Sequence, residues 1–284
     1  YQNENNLPNS LEYYFKGLQL AEEIKDSNLV AFEQSNIGSL YQIIGDYKKA
    51  IQYDSLSMIY FKKTGNQEEV AGNLVGIGNA YKSLGNLDQA LNAMLEGLKI
   101  YTEINYPFGK ALSLSNIATV YDAQNNYLKA LKFQYQAMNE FTVLQDENGL
   151  SIAQLQLGDY YNKIAMNPEK IIQDELVPAS QKACLLLSLN YLQKAIPVLG
   201  KRNSLSDLSV AYKIMADDQR ALKNYEAAIE SYLKYSFYKD SVFSIETAQK
   251  IANHETQHEI DLRESKIKLL AKDNKLKDIK AQNQ

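Results

Sequence analysis

The only two histidines of the chain stand in His254-Glu-Thr-Gln-His258. Imidazoles at this spacing sit one helical turn apart and can grip Zn²⁺, with Glu255 between them as a base. A third protein ligand would have to be a carboxylate. The surrounding stretch is charged all round and offers no apolar cleft to keep water off a metal. The motif therefore reads as solvated helix, and no metal or other cofactor is expected. The sequence also lacks a nucleophile–base pair and a phosphate-cradling glycine loop. The chain is expected to bind rather than to catalyse.

The positions that organise the chain recur at one fixed step from Asn36 to Phe141. Ile37, Ile77 and Ile117 keep that step, as do Tyr41, Tyr81 and Tyr121, then Tyr47, Leu87 and Tyr127, then Ala50, Ala90 and Ala130. Gly38 and Gly78 are followed by Ala118, and Gly45 and Gly85 by Asn125. Each unit reads as two antiparallel helices. Leu74, Val75, Ile77, Ala80, Tyr81 and Leu84 have helical spacing, Gly85-Asn86 stops that helix, and a second runs from Leu87 through Tyr101. The small residues at 38, 78 and 118, and at 50, 90 and 130, allow two helices to cross closely. One such pair cannot bury its apolar faces alone, so neighbours must stack into a solenoid.

The pattern Ile-Gly-x-x-Tyr-x-x-x-Gly-Asn/Asp-Tyr/Leu-x-x-Ala resembles the tetratricopeptide repeat in a longer form. The resemblance implies an all-α fold, a right-handed α-α solenoid whose first helices line a concave face. Their off-core residues would be Ser35, Ser39, Gln42, Asn79, Lys82, Ser83, Ser115, Thr119, Asp122, Asp159, Asn162 and Lys163. That strip is polar and near neutral, suited to hydrogen-bonding an extended peptide or a protein, unless it is merely a solvated face. Some tetratricopeptide co-chaperones hold an acidic C-terminus in a clamp of Lys and Arg with Asn. The corresponding Ser35, Ser39, Gly76, Leu112 and Asn116 include no cation, so a chaperone-tail adaptor is not expected.

Composition narrows the classes further. Against 34 acidic residues stand 30 Lys and Arg, a net charge of −4, which disfavours nucleic acid as a partner. Tyr supplies 21 of the aromatics and Trp none; most Tyr are expected as wedges between helices with a wet hydroxyl. A lone Cys184 excludes an internal disulfide. No apolar run is long enough to be expected to span a membrane. Tyr1-Gln-Asn-Glu-Asn-Asn lacks an initiator Met and a signal-peptide core, and reads as the start of an excised piece.

Residues 1–240 are expected to form the solenoid. Leu7, Ser10 and Leu11 fall one full period before Tyr47, Ala50 and Ile51, so Leu7–Ile24 reads as the second helix of a truncated repeat. Leu157, Gly158 and Tyr161 keep the period, which then breaks at Pro168. The Leu-x-x-Ala-Ile match, due at positions 167–171, returns only at Leu192–Ile196. The intervening insertion, about 168–190, predicts one short helix and one long one. Leu205–Leu222 and Tyr225–Lys239 form a last pair.

Residues 241–284 contain no Gly or Pro and read as one long charged helix. Leu262, Leu269 and Leu276 sit seven apart, a candidate seam for a parallel homodimer, though Lys and Asp occupy several neighbouring positions. The solvated single helix is the alternative. The run Tyr232-x-x-Tyr-Ser-x-x-Lys-Asp-Ser241, followed by a Lys-rich charged helix, resembles the tetratricopeptide sensor region of Bacteroidetes-type membrane histidine kinases and related helix-turn-helix regulators. That resemblance implies a non-catalytic sensor on the periplasmic face of the inner membrane, attached through a downstream segment, with an unknown peptide or protein ligand. The alternative is a soluble intracellular adaptor or peptide receptor.

Overall fold

The computed structural model describes residues 7–167 and 174–243, and among these the chain is all helix, without a strand. Eleven helices follow one another: α1 (Leu7–Glu23), α2 (Ser27–Ile44), α3 (Tyr47–Thr64), α4 (Gln67–Ser83), α5 (Leu87–Glu103), α6 (Pro107–Ala123), α7 (Tyr127–Val143), α8 (Glu147–Ala165), α9 (Gln181–Lys201), α10 (Leu205–Ala221) and α11 (225–243).

Their lengths follow from one turn, repeated. After each helix from α1 to α7, and again after α9 and α10, a single residue takes a positive φ: Lys25, Gly45, Gly65, Gly85, Asn105, Asn125, Gln145, Asn203 and Lys223. From Lys25 to Gln145 these turns are evenly spaced, two to each period. The repeat is therefore two equal halves. The next residue closes the ended helix from outside: Asn86 N–H donates to Tyr81 O at 2.9 Å, and Asn126 N–H to Tyr121 O at 2.8 Å. Such bonds satisfy carbonyls that the helix end leaves unpaired. The same residue often caps the following helix. Asp26, Asp46, Asn66, Asn126 and Asp146 each accept a backbone N–H from the first turn ahead.

The small positions lie where expected. A Cβ on Gly78 would stand 2.6 Å from Met94 Cγ and 3.1 Å from Ala90 O. Ala118 is fully buried. Gly38 makes room for a side chain absent from the other repeats, since its Cβ would fall 2.0 Å from Asp54 Oδ1. A cluster from Ala90 and Met94 to Cys184 and Leu185 runs across three repeats without interruption.

The fourth repeat corrects the expected register. Gly158 faces Leu192 Cγ and Ser188 O, as Gly78 faces Met94 and Ala90 O, so Ser188 occupies the crossing position of Ala90 and Ala130. Its Oγ donates to Gly158 O at 2.8 Å. The crossing position that an unbroken period would put at Lys170 thus falls at Ser188 rather than at Ala195, and Ala195 sits where Ala137 does. The two registers differ by two helical turns, which leaves the same face inward. One helix, α9, carries both Ala183–Leu189 and Leu192–Ile196, and residues 174–180 before it form a turn with an isolated bridge between Asp174 and Val177. A tyrosine cluster holds that segment: Tyr161 Oη donates to Leu176 O at 2.7 Å and lies 2.8 Å from Tyr135 Oη, which is 2.9 Å from Tyr191 Oη. By length and composition α9 is apolar enough to cross a membrane, but here it packs against α8 and α10.

Two glycine substitutions test this packing in opposite directions. Gly78→Ala should cost on the order of 1–3 kcal/mol, because a backbone carbonyl blocks the added methyl. Gly200→Ala, with no atom within 4 Å of the new Cβ, should instead raise stability by roughly 0.5 kcal/mol through helix propensity. Thermal melts of the two variants check both signs.

Candidate functional site

First helices of successive repeats touch one another, α2 to α4, α4 to α6, α6 to α8 and α8 to α10. The second helices α3, α5, α7 and α9 each pack between the first helices on either side. The closer spacing puts the first helices on the inside of the curve, so they line the concave face.

Most of the polar strip is engaged between repeats. Lys82 Nζ donates to Thr119 Oγ1 at 2.8 Å, one repeat away, and Thr119 Oγ1 donates to Asn116 O. Lys163 Nζ lies 2.8 Å from Asp122 and 2.6 Å from Asp159, bridging α6 and α8. Burial works to lower the Lys163 pKa, but the two carboxylates outweigh it and hold the ammonium above its usual range. Burial also lowers Lys82, with Asp122 opposing, and raises Asp159 more than Lys163 lowers it. Ser115 is buried and donates to Gln156 Oε1 at 3.0 Å. Ser35 donates to Asn73, Gln42 Nε2 donates to Gly76 O at 3.0 Å, and Asn162 Nδ2 donates to Asp218 Oδ1 at 2.7 Å. These residues hold repeats together before they can meet a ligand.

Others are available. Ser39, Asn79 and Ser83 make no side-chain hydrogen bond among the described residues, and neither do Asn36 and Asn116, which share their face. The repeat step joins Asn36, Gly76 and Asn116, so the signal for these amides was present in the sequence. A second row was equally visible: Phe32, Gly72, Leu112 and Ile152 keep the same step, and Val210 takes the place in α10. Leu112 and Val210 are exposed, Phe32 and Ile152 half-buried. The concave face is thus two-toned, with apolar contacts toward the helix N-termini and amides beside them. The heptad seam at Leu262, Leu269 and Leu276, and the His254–His258 motif, lie outside the described residues. Away from the groove, a cleft of about 260 Å³ opens at the α5–α6 turn, lined by Tyr101, Tyr106 and the Lys110–Glu140 ion pair.

Beneath the groove lie two carboxyls that the repeat pattern did not point to. Asp54 of α3 is 3 % exposed, tucked under Gly38 and Gly76, with Gln42 Nε2 3.4 Å from its Oδ2. Asp218 of α10 is fully buried, and its Oδ2 has no hydrogen-bond partner. Burial pushes each up to about 7; Gln42 opposes it at Asp54, and Asn162 and Ser188 at Asp218. Tyr160 departs from the expected wet wedge, because its hydroxyl is also buried without a partner.

Residues 29–103 and 69–142 match the family model described as tetratricopeptide repeat. The fold is a tetratricopeptide-repeat solenoid. Repeats of this kind are generally non-catalytic binding scaffolds, and no enzymatic family is indicated. Similar solved structures include BtubC (BKLC) from P. vanneervenii, with a TM-score of 0.64 at 15 % identity over 83 % of this chain and 92 % of that one. A Rap protein complexed with Competence and Sporulation Factor matches with a TM-score of 0.51 at 15 % identity, over 85 % and 72 % of the two chains. A putative kinesin light chain from P. anserina, with nearly identical repeats of this type, matches at 0.53 and 13 % identity, over 74 % and 94 %. At such identities the likeness concerns the fold alone. A comparison with curated proteins gives no match.

Two measurements probe the polar framework of this tetratricopeptide solenoid. Asp218 in the fold keeps its proton to about pH 7, against 3.8 ordinarily. The folded state then binds more protons than the unfolded one between those values, so stability falls as pH rises from about 4 through 7 and levels off above. Melting temperatures between pH 5 and 8 should show that fall, and Asp218→Asn should flatten part of it and melt higher than wild type at pH 8. A double-mutant cycle on Asp122→Asn and Lys163→Met should give a coupling on the order of 1 kcal/mol that weakens with salt. Zero coupling would show that the bridge between α6 and α8 carries no energetic weight.

Proposed function

We propose that the concave groove binds an extended segment of a partner protein or peptide. The observation that carries this is the set of amides on neighbouring first helices, Asn79 and Asn116, half-buried and without a side-chain partner among the described residues, next to exposed Leu112. An Asn amide both donates and accepts, so it can complete the main-chain pairing of an extended strand whatever its sequence. First helices about 10 Å apart meet every third residue of such a strand. The apolar row then takes its side chains. A Rap protein of the same fold is complexed with Competence and Sporulation Factor, which supports recognition by this scaffold.

The resemblance of Tyr232–Ser241 and the charged run after it to the sensor region of membrane histidine kinases and related regulators supports reading this groove as the periplasmic input of such a protein. The parent gene tests that part: an upstream signal segment and an apolar stretch of about 20 residues downstream are expected, whereas a soluble adaptor has neither.

The groove itself is tested by selecting binders from a random peptide library and measuring them by fluorescence anisotropy. Asn79→Ala with Asn116→Ala should weaken binding about tenfold, roughly two hydrogen bonds, with the thermal melt unchanged. Gln52→Ala on the outer face should have no effect. Binders that respond only to outer-face changes would overturn the placement.

A further inference from the structure

The last described helix, α11, presents an apolar face, part of which is covered at the equivalent positions of earlier repeats. Tyr225, Ile229, Tyr232, Leu233, Phe237 and Phe243 of α11 are each 60–67 % exposed. At about 100° per residue they fall within about 140° of the helix circumference, a sector that Glu226, Ser236 and Asp240 also share. The opposite side packs on α10 through buried Ala228 and Ser231 and the stacked pair Tyr212–Tyr238. In α7 the positions equivalent to Ile229 and Tyr232 are Leu131 and Gln134, and both are fully buried with α8 packed against α7. In α9 the equivalent of Tyr232 is Leu192, also fully buried. Tyr225, Ile229 and Tyr232 therefore lie on the face that a following first helix covers, whereas Phe237 extends the stripe onto positions that are exposed in earlier repeats, Ile59, Lys99 and Asn139.

The sequence that follows does not repeat such a helix. Continuing the step from Met215, Ala216 and Gln219 of α10 reaches Glu255, Thr256 and Glu259. In the earlier repeats these positions hold Ile or Leu, Gly or Ala, and Tyr. A buried Glu at the central core position would carry an unpaired charge, a heavy cost.

We infer that the α11 stripe is a self-association surface, on which two copies of this chain pair about a two-fold axis. Large apolar side chains dominate the stripe, with Glu226 and Asp240 inside it near its two ends, and a two-fold contact closes without leaving a second stripe bare. Six large side chains that each leave roughly 100–150 Å² uncovered amount to roughly 750 Å² per copy, about what one partner supplies to a standard-size interface. The Glu230–Lys234 ion pair at 2.7 Å borders the stripe. An apolar centre with a charged rim is the anatomy of a specific protein interface. This surface is separate from the groove, so pairing leaves Asn79 and Asn116 open.

The test uses the full 284-residue chain. Sedimentation equilibrium from about 1 to 100 μM, the range of moderate affinities, should show the mass rising from 32.2 kDa toward twice that value. Ile229→Glu with Leu233→Glu should raise the dissociation constant more than tenfold without changing circular dichroism. A second measurement does not depend on that variant folding. The thiol of Phe237→Cys, in a chain whose natural Cys184 is buried, should cross-link between copies, and its maleimide labelling should slow as concentration rises. Three results would each overturn the inference. One is a chain that stays monomeric to about 100 μM. Another is a dimer lost in Leu269→Glu but kept in Ile229→Glu with Leu233→Glu. The last is a Phe237→Cys thiol protected equally at all concentrations, meaning that the chain covers its own stripe.

Discussion

A single residue with a left-handed backbone ends every repeat helix described up to Asp146, and at all but Gly45 the residue after it closes that helix and often caps the next. Everything else depends on this spacing. Evenly placed turns make helices of nearly equal length, about 25 Å long, so each covers its neighbour end to end. Equal lengths keep the small residues of one helix opposite those of the next. Gly78 can then meet Ala90, and Gly158 can meet Ser188, at distances that exclude a side chain. Where the spacing fails after Asn167, α9 grows to 21 residues, and the Tyr135–Tyr161–Tyr191 cluster ties the intervening turn to the core.

The same geometry sorts the polar groups. First helices bury one side and show the other, so polar residues at the boundary are half out of water and gain most from a partner in the next repeat. Lys82 finds Thr119, Ser115 finds Gln156, and Lys163 finds Asp122. These bonds run along the solenoid and stiffen its inner wall. They also consume the charges of the groove, leaving Asn36, Asn79 and Asn116 with an apolar row for recognition. The proposed ligand would be gripped by its main chain and its apolar side chains more than by charge.

Burial beneath that wall has a cost. Asp54 and Asp218 are out of water with one amide each at hand, and burial lifts both well above the usual carboxylate range. Gly38 and Gly76 exist in their present form because the Asp54 carboxyl fills the space a Cβ would need. Replacing the carboxyl by an apolar group would relieve the charge and leave those glycines without a neighbour of the right shape.

Much of this was legible in the residues. Periodicity at 37, 77 and 117, with Gly at 38 and 78, determined a solenoid of helix pairs, because only a small residue admits a close crossing and only stacking buries such pairs. The turns at Lys25 and Gln145 were hidden, since neither residue advertises a left-handed backbone as Gly does. The register of α9 was hidden for another reason: a shift of two turns keeps a helix's inner face inward, so pattern alone admits both Ser188 and Ala195 at the crossing. The groove was legible as a face but not as a site. Which of its polar residues are spent on one another depends on distances across repeats, which spacing along the chain does not contain. The sequence by itself therefore determined the architecture and the polar face of the first helices. Only the tertiary structure decided which amides stay open, which carboxyls are buried, and that the stripe on α11 has no described helix to cover it, because each is a matter of what lies opposite in space.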